Sequence, residues 1–178
     1  GDPLIDVKYS NCGSTITGSG YMNANAETDN INITIGKNSW VVAGNFKIDN
    51  EPTITTTYDD IKMYVGGKIS GNMPKIGTAD KRIDVYCDTF EAGNGGEIYG
   101  DLYIFDENNA GATIKGNIHG NVYYMGTGNI SFENANISGV LYTGGTITHT
   151  NNLTLNGATY GPSDSDADIM TNAGITAP

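Results

Sequence analysis

One short motif recurs along this chain and restricts its fold more than any other feature. It runs aliphatic residue, variable residue, glycine, with a tyrosine three places after the glycine. The clearest copies are Ile98-Tyr99-Gly100-Asp101-Leu102-Tyr103, Ile118-His119-Gly120-Asn121-Val122-Tyr123 and Ile137-Ser138-Gly139-Val140-Leu141-Tyr142, followed by Leu155-Asn156-Gly157-Ala158-Thr159-Tyr160. They start 20, 19 and 18 residues apart (118−98, 137−118, 155−137). A period of about 20 suits one turn of a parallel β-helix, in which two or three short strands meet at corners. Looser copies begin at Ile16, Val42 and Ile69, at spacings of 26, 27 and 29 up to Ile98 (42−16, 69−42, 98−69).

The motif has a physical reading. Isoleucine stacks on isoleucine of the coil below and fills a narrow interior with branched side chains. Glycine either takes a corner with positive φ or lets backbone pass close to the neighbouring coil. Second strands are expected at Ala112-Thr113-Ile114, Asn129-Ile130-Ser131-Phe132 and Thr146-Ile147-Thr148, with corner residues such as Asn108-Asn109 tolerating left-handed geometry. An antiparallel sandwich shares short strands and glycine turns but does not explain a tyrosine at one offset of a near-constant repeat. The expected fold is therefore all-β, a right-handed parallel β-helix forming a single domain over 1–178. Residues 1–97 are expected as irregular coils with longer loops, 98–161 as regular coils of 18–20 residues, and 162–178 as a cap or tail. A short C-terminal cap helix is expected between Asp164 and Ala173, because open coil ends leave backbone groups unpaired.

Composition narrows the function classes. The 178 residues carry 25 glycines, 5 prolines and a net charge of −11, with Arg82 the single arginine. That charge opposes nucleic acid, which needs clustered lysine and arginine, and anionic membrane surfaces. No apolar run approaches the roughly 18 residues of a membrane-spanning helix. Gly1-Asp2-Pro3 opens the chain without a basic or apolar segment, so the chain reads as a cut-down soluble part, which leaves open the earlier removal of an anchor or export signal.

Tyr103, Tyr123, Tyr142 and Tyr160 share one repeat position, and Tyr21 is equivalent in the first copy. If strand alternation holds, these rings face outward as a ladder spaced by about 4.8 Å, able to meet sugar rings or another protein. The bland alternative makes them packing residues at a corner. Asp164, Asp166 and Asp168 alternate as in the opening of a calcium loop and are the candidate Ca²⁺ ligands. However, Ile169 stands where the turn glycine belongs and Ile175 where a bidentate glutamate belongs, and acids at a helix N-terminus account for them equally well. His119 and His149 fall at unrelated repeat positions without a third ligand, which argues against zinc. Asp84 and Asp88 share a strand face but would lie about 13 Å apart, too far for a glycosidase pair. Cys12 and Cys87 are expected as free, buried thiols, since a solenoid separates them by several coils. No catalytic residue and no cofactor is assigned.

Between Ile98 and Tyr160 the chain resembles bacterial repeat proteins with glycine-punctuated solenoid bodies. Gly139-Val140-Leu141-Tyr142 and Leu155-Asn156-Gly157-Ala158-Thr159-Tyr160-Gly161 look like the coils and ending of the solenoid ectodomain in some minor pilins or pilus-associated proteins of Gram-positive type IV pili. The Ile-x-Gly repeats are also similar to those of bactofilins, which are cytoskeletal polymers. The first resemblance implies a non-enzymatic extracellular or cell-surface subunit for structure or adhesion. Its partners would be other pilus or surface subunits, or glycans. The second implies a scaffold that polymerises end to end. A polysaccharide-active β-helix enzyme ranks last, with one arginine and no convincing pair of acids.

Overall fold

The computed structural model describes residues 5–10, 16–22, 24–29, 32–50, 53–72, 74–92, 95–157 and 159–160. Among them, seventeen strands from Ile5–Ser10 to Thr159–Tyr160 join in one sheet, and the strand pairings are parallel throughout. The chain is a β-solenoid. The expected cap helix, like the rest of 161–178, lies outside the described residues.

Each coil visits three faces in turn. The first face stacks residues 5–10, 24–29, 46–49, 68–71 and 89–92, and 112–114, 130–132 and 147–150 continue it. The second face carries a single unbroken register position through Ile16, Ile33, Ile54, Ile76, Ile98, Ile118, Ile137 and Leu155. From Ile33 to Ile137 these side chains are buried, each contributing about 1.5–3 kcal/mol. On the third face two inward columns run side by side. One is Trp40, Met63, Val85, Leu102, Val122 and Leu141; the other is Val42, Val65, Cys87, Ile104, Tyr124 and Thr143. Strand alternation decides this arrangement, because every second residue of each strand faces the narrow interior.

The isoleucine column corrects the placement of the early repeats. Val42 belongs to the third face and Ile69 to the first, where it pairs with Phe46 and Phe90. The true equivalents of Ile98 are Ile33, Ile54 and Ile76, so the steps from Ile16 are 17, 21, 22 and 22 residues (33−16, 54−33, 76−54, 98−76) rather than 26 to 29. The early coils therefore match the later ones closely in length. What differs is where their extra residues sit. Four positions separate the second-face isoleucine from the third-face aliphatic in the later coils (102−98, 122−118, 141−137), but nine do so in two early ones (63−54, 85−76).

That short corner explains the repeated glycine. A Cβ on Gly120 would come within 2.2 Å of the Gly100 carbonyl oxygen, and one on Gly157 within 2.3 Å of that of Gly139. Gly139 and Gly157 each donate their N–H to the glycine one coil earlier, at 3.0 and 2.9 Å. Close approach between coils is the cause here, since no positive φ occurs at Gly120, Gly139 or Gly157. Positive-φ corners fall to other glycines, such as Gly77 and Gly111 (φ 74° and 93°), and to polar residues, among them Asn50, Asp106 and Asn109 (φ 59°, 43° and 53°). Asparagine and aspartate also bridge coils. The carboxylate of Asp84 accepts the Asp101 N–H, that of Asp101 accepts the Asn121 N–H, and the Asn121 amide oxygen accepts the Val140 N–H, at 2.8 to 2.9 Å.

Candidate functional site

The third face also carries an outward column. In the strands Leu102–Ile104 and Val122–Tyr124 the central residue is half-buried between two buried neighbours, so Tyr103 and Tyr123 point away from the core. Register places Tyr64, Tyr86, Tyr103, Tyr123 and Tyr142 in succession. Their rings stack, with centroids 4.8, 4.3, 4.5 and 4.8 Å apart. The strand spacing of about 4.8 Å is close to the spacing at which offset aromatic rings attract, so the fold sets the stack without adjustment. The outward ladder expected from the sequence is present at Tyr103, Tyr123 and Tyr142. The backbone of Tyr160 pairs with Tyr142 in the same register, while its side chain lies outside the described residues.

Two ladder members were missed in the sequence. Tyr64 and Tyr86 follow valine or methionine and precede valine or cysteine, in Met63-Tyr64-Val65 and Val85-Tyr86-Cys87. The same aliphatic–Tyr–aliphatic alternation would have found them, but the glycine marker is absent at their longer corners.

The stack also changes what the tyrosines can do. Tyr103–Tyr123 and Tyr123–Tyr142 are inclined by only 7° and 4°, and Tyr86–Tyr103 by 1°. Both faces of Tyr86, Tyr103 and Tyr123 are thus covered by neighbouring rings. What they offer outward is a row of ring edges and phenol oxygens, a strip suited to lying flat against a surface rather than to sandwiching a sugar. Burial, then the nearby Tyr86 and Tyr123 phenols and Asp101, push the Tyr103 phenol well above its ordinary value, and burial does the same for Tyr123. Tyr103 and Tyr123 therefore stay neutral and can donate hydrogen bonds at ordinary pH. Phe105 and Met125 flank it, 41% and 48% exposed.

A second aromatic pair lies on the second face, where His119 stacks on Tyr99 at 4.0 Å and its Nε2 lies 3.4 Å from a Glu97 carboxylate oxygen. It is a cross-strand pair on the outer surface. The side chain of His149 lies outside the described residues. Cys87 is free and buried in the inward column, and burial pushes its thiol up, so it packs as a small hydrophobe. Cys12 lies outside the described residues, as do Asp164, Asp166 and Asp168. Among the described residues no group of three or more His, Cys, Asp or Glu could hold a metal ion.

One buried polar centre was not foreseen. Asp106, 1% exposed, accepts the N–H groups of Ala110 and Gly111 at 2.8 Å and the Tyr124 hydroxyl. It ties down the loop between the strands Leu102–Ile104 and Ala112–His119. The doublet Tyr123-Tyr124 held the signal, since alternation must turn one of two adjacent tyrosines inward. No protein-family model, curated protein or solved structure matches the chain.

The first face is chemically different. Lys47, Lys68 and Lys115 pair with Asp49, Glu91 and Glu133 at 2.8, 2.9 and 3.2 Å along a shallow trough. These exposed pairs contribute little to stability, and they leave the trough locally balanced in charge.

Proposed function

We propose that the chain is a non-enzymatic structural or adhesive subunit displayed at a cell surface, such as the ectodomain of a minor pilin, and that its tyrosine face is the contact surface. The observation that carries this reading is the five-ring stack. It places a stiff, neutral aromatic strip along the solenoid axis of a chain whose net charge is −11. Exposed aromatic area on a rigid support costs little conformational entropy on binding, which is why such strips serve as interfaces. The resemblance of the 98–161 coils to solenoid pilin ectodomains points to other surface subunits as partners, with glycans as the second class.

A photo-crosslinking residue at Tyr123, introduced in the source cells, tests the contact face. Crosslinks to a surface protein or glycan are expected from Tyr123 and not from Thr113 on the first face. Equal yields from both positions would remove the tyrosine face from the account.

A further inference from the structure

Among the described rings the ladder ends at Tyr64, and a groove lies beside that end. In the register of the third face the position preceding Tyr64 belongs to Val41, and the one before that to Tyr21, whose side chain lies outside the described residues. A valine cannot cover a ring face as tyrosine does. At this end the stack opens: Tyr64 is inclined by 27° to Tyr86, against 1° to 7° among Tyr86, Tyr103, Tyr123 and Tyr142, and Tyr64 is 38% exposed. Beside it lies a groove of about 430 Å³. Val41, Ala43 and Gly66 form its floor, and Tyr64, Tyr86 and Phe105 form an aromatic wall. Gly66 admits no side chain, because a Cβ there would come within 2.2 Å of the Ala43 carbonyl oxygen.

Among the described residues, the charged side chains lining this groove are Asp88 and Glu107, both acidic. One Asp88 oxygen accepts the Glu107 N–H at 2.9 Å, which fixes the two residues side by side. An apolar floor, an aromatic wall at stacking distance and a carboxylate rim together define an occupant. A pyranose would place hydroxyls on a floor of valine, alanine and glycine that offers its side chains no hydrogen bonds. An aromatic ring would complete the ladder, and a neighbouring cation would meet the rim.

We infer that this groove binds an aromatic side chain flanked by lysine or arginine, presented by a basic segment of a partner protein. The ring takes the rung above Val41 against Tyr64, and the cation lies at Asp88 and Glu107. The inference goes beyond the proposed function, because it holds for this groove whether or not the five-ring strip contacts anything.

The probe is the tripeptide acetyl-Lys-Trp-Lys-amide, titrated into the full chain and followed by amide chemical shifts and calorimetry. Saturable binding is expected, with the largest shifts at Ala43, Gly66, Phe105 and Glu107. Val41→Trp, which fills the rung with the chain's own ring, should weaken binding about tenfold, as should the pair Asp88→Asn and Glu107→Gln. Phe105→Ala, an exposed position, gives the same readout if Val41→Trp does not fold. Equal affinity for acetyl-Glu-Trp-Glu-amide would overturn the charge assignment, and tighter binding of cellotetraose at these residues would overturn the ligand class. No saturable binding, or binding untouched by both ring variants, would overturn the site.

Discussion

At the scale of single residues, two features depend on how closely the coils approach. Gly120 lies against the Gly100 carbonyl with no room for a Cβ. Gly120→Ala should therefore cost about 2 kcal/mol, as overpacking of a tight site does, read as a lower urea midpoint with unchanged slope. A loss below about 0.5 kcal/mol would mean the corner can shift to accept the methyl group. The second feature is the buried pair Tyr124–Asp106. Burial first, then the hydrogen bond to Asp106 and its negative charge, raise the Tyr124 phenol above its ordinary value of 10.0. Tyr103 is raised in the same direction. In the unfolded chain these phenols ionise near their ordinary value, so the stability they contribute is full below about pH 10 and falls as pH rises beyond it. Urea midpoints measured from about pH 8 to pH 11 should decline above pH 10. Tyr124→Phe should flatten that decline while lowering stability at neutral pH. A flat profile in the parent chain would contradict the burial of Tyr124.

At the scale of strands, register is the feature most open to test, since every side-chain column depends on it. Thr113 and Ser131 are register partners with hydroxyl oxygens 3.1 Å apart. With Cys12 and Cys87 changed to alanine, Thr113→Cys and Ser131→Cys should close an intramolecular disulfide under mild oxidation. Strand neighbours at about 4.8 Å fall within the Cα separations that disulfides allow. Thr113→Cys with Glu133→Cys, two residues out of register, should remain reduced on mass spectrometry. The reverse result would require a different pairing. Register also explains what the sequence revealed. The later coils were legible because their tight corner demands glycine four residues or fewer from both the buried isoleucine and the tyrosine. Ile33, Ile54 and Ile76 occupy the same column without that complete signature, because their longer corners relax the demand. The glycine spacing points instead to Val42 and Ile69, which lie on other faces. The outward direction of the tyrosines was readable from alternation. Their mutual coverage was not, because it depends on ring orientations that only the stacked coils fix. Asp106 was hidden for the related reason that its partners, Ala110, Gly111 and Tyr124, come from a loop and from the next coil.

At the scale of the whole molecule, a parallel stack of short strands gives a rod whose faces differ in chemistry. The first face carries charge pairs and the third an aromatic strip with flanking apolar residues. Regular hydrogen bonding from coil to coil holds both faces at a fixed spacing, which suits a part that presents a surface. Where this rod is displayed decides the proposed role most directly. Antibodies raised against the folded chain should label intact source cells, with labelling reduced when the antibodies are first absorbed with the purified chain. Labelling that appears only after the envelope is permeabilised would place the rod inside the cell and contradict the proposed surface role.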